Sequence, residues 1–162
     1  MAWSASGAFR QTVADYLGNP NSFWTPALPH LDLESHRGAL FTNAVTPDYD
    51  AAAAAAKYGT GGTWTTANEV SGTGYTAGGA LLTSTTVTTP STGIVMFDAA
   101  DLAWSSATFS NAYGLLVYAD SLTAPVADQA WLALYFGGTA YSVTAGTFTV
   151  QFSASGLWRF AV

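Results

Sequence analysis

Thr147-Phe148-Thr149-Val150-Gln151-Phe152 alternates polar and apolar residues without a break. Successive side chains of a β-strand point to opposite faces, so Phe148, Val150 and Phe152 share a buried face and Thr147, Thr149 and Gln151 an exposed one. Ser153-Ala154-Ser155-Gly156 reads as a turn, and Trp158, Phe160 and Val162 then form the inner face of a last strand. Working back, 130–136, 112–118 and 102–109 read as strands. Ile94-Val95-Met96-Phe97 reads as a buried strand between turns at 90–93 and 98–101, preceded by a Thr-rich strand over 81–89. Roughly eight short strands with a turn about every ten residues predict a mainly β fold, a single antiparallel sandwich or barrel.

The first third of the chain carries the helical signals. Ser4 or Ser6 can cap a short N-terminal helix in which Phe9, Val13, Tyr16 and Leu17 share a face, ended by Gly18-Asn19-Pro20. A non-helical aromatic stretch with Phe23 and Trp24 follows. Leu31-Asp32-Leu33-Glu34 alternates, and 38–41 reads as strand. Thr46-Pro47 resembles an N-cap with a first-turn proline. Asp48 and Asp50 then sit at the positive end of a short Ala-rich helix over 51–56, with Lys57 at its negative end and Gly59 as stop. No composition break divides the chain, so 1–162 reads as one β-rich domain, with 1–30 as an N-terminal helix or arm and 31–162 as the β core.

At 162 residues the chain can bury about 70% of its unfolded surface. Hydrophobic residues make up 49% and aromatics 14%, which excludes a disordered chain. Charged residues are only 9%, against the ~25% of an average domain. A surface so poor in charge is weak at keeping molecules apart, which predicts homo-oligomers or docking on a larger assembly. Four scattered cations against ten acids, net −6, leave no basic patch for nucleic acid. The absence of Cys excludes thiolate metal sites, cysteine catalysis and disulfides. No signal-type start and no bilayer-length apolar run stand in the chain, so no membrane partner is expected.

Residues that carry chemistry are few. His30, Asp32, Glu34 and His36 alternate and put four potential metal ligands on one strand face; a solvated polar face reads the same residues without a metal. Asp48 and Asp50 could join Glu69 at a cation, but the ligand series of an EF-hand is missing and helix capping accounts for both aspartates. No Gly-x-Ser-x-Gly elbow exists, and Gly72-Thr73-Gly74 with Gly78 lacks dinucleotide spacing and reads as a loop needing positive φ. No catalytic, cofactor or metal residue is therefore assigned, and the chain reads as a non-enzyme without cofactors. Six tryptophans and eight tyrosines either fill a core or subunit interface, or present ring faces to sugars. Trp3, Phe9, Phe23 and Trp24 are the interface candidates, because the apolar residues of the first 24 positions exceed what one short helix needs to dock.

Residues 39–79 run Ala-Leu-Phe-Thr-Asn, Thr-Pro-Asp-Tyr-Asp, an alanine run, a lone Trp64 and Asn68-Glu69-Val70-Ser71-Gly72-Thr73-Gly74-Tyr75-Thr76-Ala77-Gly78-Gly79. This block resembles one in small virion proteins of tailed bacteriophages of high-GC actinobacteria: "ALF-x-N", "TPD-x-D", then "W…NEVSGTGY-x-AGG". The opening "MAW-x-ASG-x-F" fits too, and 144–158 is similar to the "AGTFTVQW…NG-I" ending of those proteins, with Phe152 and Ser155 in place of Trp and Asn. The resemblance implies a virion structural protein without catalytic residues. It points to a capsid decoration protein on the outer face of the head, assembled in the host cytoplasm, with the major capsid protein and its own copies, as trimers, for partners. A tail protein, structural or carbohydrate-binding at the host surface, is the alternative.

Overall fold

The computed structural model describes residues 3–10, 12–13, 35–123 and 126–161. Strand β8 (Gly114–Ala119) is buried at every position, and the other elements are arranged about it. It lies between β2 (His36–Phe41) and β9 (Ala130–Tyr135); β4 (Ala80–Leu81) and β1 (Gly7–Ala8) complete a five-stranded sheet in the order β1-β9-β8-β2-β4, antiparallel throughout. Because side chains alternate, Leu115 and Val117 enter one apolar cluster, and Leu116 and Tyr118 enter another. β2 divides the same way, Leu40 to the first cluster and Ala39 and Phe41 to the second. Both faces of this sheet are apolar, so both need a cover.

Strands cover the first face. β7 (Leu102–Ala112) pairs with β10 (Tyr141–Val150) and β3 (Gly72–Thr73), and β6 (Ile94–Asp98) pairs with β5 (Thr86–Ser91) and β11 (Trp158–Ala161). Trp104, Ala107, Phe109, Phe97 and Val150 meet Leu40, Leu115 and Val117 in one cluster. β7 keeps its core face by bulging. Ser106 (φ +51°) and Asn111 (φ +64°) each close a pair of consecutive exposed residues, and the extra residue shifts the phase so that Ala107 and Ala112 return to the interior. The chain passes from β7 to β8, in the other sheet, through Tyr113 alone, whose N–H donates to the Phe41 carbonyl at 2.8 Å.

Irregular chain covers the second face. Trp3, Phe9, Val45, Ala56 and Trp64 pack there on Phe41, Leu116 and Ala133. Trp64 is the hub: its ring centroid lies 5.0 Å from Phe41, 5.3 Å from Trp3 and 6.0 Å from Phe9, all edge-to-face. Gly114 has no side chain because the Trp3 ring occupies the place a Cβ would take.

The mainly β, antiparallel class is observed; of the two expected helices, the Ala-rich one is not, and the N-terminal one is seen in helical Arg10, Thr12 and Val13. Gly7–Ala8, placed by its capping serines in a helix, is instead β1, paired with Leu132 and Ala133. One helical hydrogen bond follows, from the Val13 N–H to the Phe9 carbonyl at 3.0 Å, and the Thr12 hydroxyl donates to the Ala130 carbonyl. The remainder of that helix, with Tyr16 and Leu17, and the alternation at 31–34 lie outside the described residues. The alanine run forms turns: the Ala55 and Ala56 N–H groups both donate to the Ala52 carbonyl at 2.9 Å. A helix of six residues is not stable by itself. Here fully buried Ala56 accepts from the Ala130 N–H, and Lys57 and Tyr58 bridge Gln129 and Trp64, so tertiary contacts set the path.

Trp3, Phe9 and Thr12 of the N-terminal segment therefore belong to the core. Trp3→Ala is expected to cost about 3–5 kcal/mol, and Gly114→Ala about 1–3 kcal/mol through overlap with the same ring. Deleting residues 1–13 should abolish cooperative unfolding in a thermal melt, whereas an independent arm would leave the transition unchanged.

Candidate functional site

Glu69 is buried, 6% exposed, and the block from Asn68 to Gly79 is folded round its carboxylate. The Val70 N–H donates to the Leu40 carbonyl and the Thr42 N–H to the Asn68 carbonyl, which hold this stretch beside the end of β2. Oε1 accepts the Tyr75 hydroxyl at 2.6 Å and the Gly78 N–H at 2.8 Å, while Oε2 accepts the Tyr58 hydroxyl at 2.8 Å. A buried charge is tolerable only when so compensated. The tyrosines extend the network. The Tyr75 oxygen accepts the Leu40 N–H at 2.8 Å, Tyr118 donates to the Gly78 carbonyl at 2.9 Å, and Tyr58 stacks on Tyr118 at 4.6 Å. Gly79 (φ +71°) must be glycine twice over, because a Cβ would also overlap the Gly38 carbonyl.

Burial, and then the bond to Glu69, push the Tyr58 and Tyr75 hydroxyls well above the ordinary tyrosine range; burial, and then the charge of Asp120, do the same for Tyr118. All three remain protonated donors at neutral pH. Both Glu69 oxygens are engaged, Oε1 by the turn and Oε2 by Tyr58, so the group acts as a scaffold. On the outer side of β2, Arg37 donates to Asp120 at 2.9 Å and to the Gly79 carbonyl at 3.2 Å, and the bond to Asp120 raises its pKa.

The other residues singled out in the sequence separate in space. Trp3 and Phe9, expected at an interface, are each 1% exposed within the core; Phe23 and Trp24 lie outside the described residues. His36 is fully buried on β2 with its ring 5.5 Å from Phe97, so it belongs neither to a solvated face nor to an open metal site; His30, Asp32 and Glu34 lie outside the described residues. The Asp48 carboxylate accepts the Asp50 N–H at 3.0 Å, and Asp50 meets Arg10 at 3.1 Å on the surface. Among the described residues no group of three or more His, Asp or Glu is placed to hold a metal ion, and no helix is long and apolar enough to cross a membrane. Trp3, Trp64, Trp104 and Trp131 are core residues, which removes four of the six tryptophans from any sugar platform.

Aromatic surface occurs elsewhere. An open groove of about 260 Å³ is lined by Phe136, Tyr141, Phe148, Thr149, Val150 and Gln151. Tyr141 is 48% exposed and stands edge-on to Phe136 at 6.0 Å, and Phe148 is fixed from behind by Phe109 at 5.1 Å. Sequence reasoning did not single out Phe136 or Tyr141. The signal was the Gly137-Gly138 turn between them, at φ +84° and +90°, which returns the chain and brings two aromatics together.

No protein-family model, curated protein or solved structure matches this chain significantly.

Two outcomes follow from the Glu69 network. Glu69→Ala leaves the buried Gly78 N–H without its acceptor and should cost about 1–3 kcal/mol, read from denaturant midpoints. Because the folded state holds the Tyr58 and Tyr75 protons more tightly than the unfolded chain, their contribution is complete below the unfolded value near pH 10 and is lost as pH rises through the folded values. Stability should thus be level between about pH 7 and 9 and fall above about pH 10, with a shallower fall in Tyr75→Phe.

Proposed function

We propose that this chain is a structural protein of a tailed-phage virion, a decoration protein that binds the outer face of the assembled major capsid lattice and stabilises the head. The observation that carries the reading is the resemblance of three ordered blocks to small phage virion proteins. The central block is supported by its geometry: Glu69, Tyr75 and Gly78 form a self-contained turn, which gives its residues a structural reason with no reaction attached. We read the layers facing each other across the larger cluster as a β-sandwich rather than a barrel.

The surface supports the same reading. With 9% charged residues, the exposed strands are covered by Thr, Ser, Gly and apolar groups. All six residues of β5 are exposed, among them Val87 at 40%, and Ile94, Val95 and Met96 of β6 are only half-buried. Such a surface suits a protein that works beside others. The mechanism is mass action: a ligand with higher affinity for the assembled shell than for free subunits shifts the equilibrium toward the shell. Homo-oligomers, trimers at three-fold positions, fit the same surface. A tail location is the second reading, favoured by the exposed aromatic groove.

Purified protein added to capsids lacking it should bind expanded shells saturably, bind immature shells weakly, and raise the temperature at which shells rupture. Density for the chain on the head in cryo-electron microscopy of the virion is the expected result. Density only in the tail overturns the decoration role.

A further inference from the structure

The groove along β10 has the composition of a site for a neutral sugar. Its lining holds three aromatic residues, Phe136, Tyr141 and Phe148, together with Thr149 and Gln151, and no charged residue. A charged ligand would meet no counter-charge in that lining. Apolar ring surface beside hydroxyl and amide groups is instead complementary to a pyranose, whose C–H face is apolar and whose rim carries hydroxyls. The aromatics are already positioned. Phe148 is packed edge-to-face on Phe109 and Phe136 edge-on to Tyr141, so little side-chain freedom is lost on binding. At about 260 Å³ the groove is smaller than the roughly 300–1,000 Å³ of drug-sized pockets. Being open, it has room for one ring of a longer chain.

An extended peptide is the obvious competitor, since β10 is an edge strand. Its pairing with β7, however, shifts register three times; at the shift between Val143 and Gly146 the extra residue lies in β10 itself, with Ala145 at φ +47°, and at the other two it lies in β7. Regular pairing is left only over Phe148–Val150. The bulge at Ala145 breaks the row of backbone groups that an added strand would use.

We infer that this groove binds one pyranose ring of a neutral polysaccharide, with Tyr141 as the stacking residue. The inference is independent of where on a virion the protein sits.

The test uses the full chain titrated with hexamers of β-1,4-glucose, α-1,4-glucose and β-1,4-N-acetylglucosamine, followed by calorimetry and by backbone amide chemical shifts. At least one hexamer should bind with Kd below about 1 mM, with shifts confined to 136–151. Tyr141→Ala should weaken that binding about tenfold, the loss of one stacking contact, and Tyr141→Phe should stay near wild type. Tyr141 is half-exposed, so an unchanged thermal melt verifies the fold of both variants. Absence of saturable binding by all three hexamers up to about 10 mM overturns the inference, as does binding that Tyr141→Ala leaves intact. Self-association lost in Tyr141→Ala, read by sedimentation, would assign the groove to a second copy and also overturn it.

Discussion

The structure depends on one constraint: β8 is buried on both faces, and so the sheet built on it must be covered twice. Two small sheets form most of one cover, and among the described residues no second set of strands covers the other side. The second cover is assembled from irregular segments whose apolar residues are large enough to close it, Trp3, Phe9 and Trp64 above all. This explains features that otherwise look unrelated. Gly7–Ala8 is tied down as β1, Gly114 makes room for the Trp3 ring, and the alanine run follows the surface of the sheet instead of coiling into a helix.

The buried carboxylate of Glu69 is the polar counterpart of that constraint. In a chain with only ten acids, placing one in the interior is costly unless every lone pair in use has a donor. Tyr58 on one side and Tyr75 with the Gly78 N–H on the other come from two stretches of the chain and converge on it. Val70 and Asn68 meanwhile tie the same segment to β2 and the residue that follows it. The turn and the sheet edge thus specify one another. An apolar residue at 69 would relieve the desolvation cost but leave nothing to gather those donors.

Strands were legible where period-two alternation ran against a single buried face. The exposed Thr147, Thr149 and Gln151 against half-buried Phe148 and buried Val150 read directly. The Ala-rich helix was misread, and the N-terminal helix begins at Arg10 rather than just after Ser4 or Ser6, for one reason. Capping serines, a first-turn proline and alanine propensity are worth about a kilocalorie each, and burial of neighbouring aromatics outweighs them. His36 was misread because alternation with His30, Asp32 and Glu34 predicts a shared face but not which layer covers it; the cover is Phe97, from β6, far along the chain. The tryptophans could not be sorted into core and surface by type, since a ring suits either. Glu69 is the most instructive case. Its residue type pointed outward, and only the glycines and tyrosine after it signalled a turn with something to wrap.

Edges show how a weakly charged β protein keeps its surface under control. The five-stranded sheet ends in two-residue strands, β1 and β4, too short to template a partner. β10 is long and uncharged, and its bulge at Ala145 takes the place of the lysines that guard many edges. β5 carries Pro90, which lacks an N–H, near its end. Geometry rather than charge limits unwanted strand pairing here. The same economy leaves the exposed face of β5 and the groove beside β10 without ionic groups. Contacts made through them rest on shape, ring surface and hydrogen bonding, which dissolved salt screens little. A surface of that kind favours partners matched in shape over partners gathered by long-range attraction.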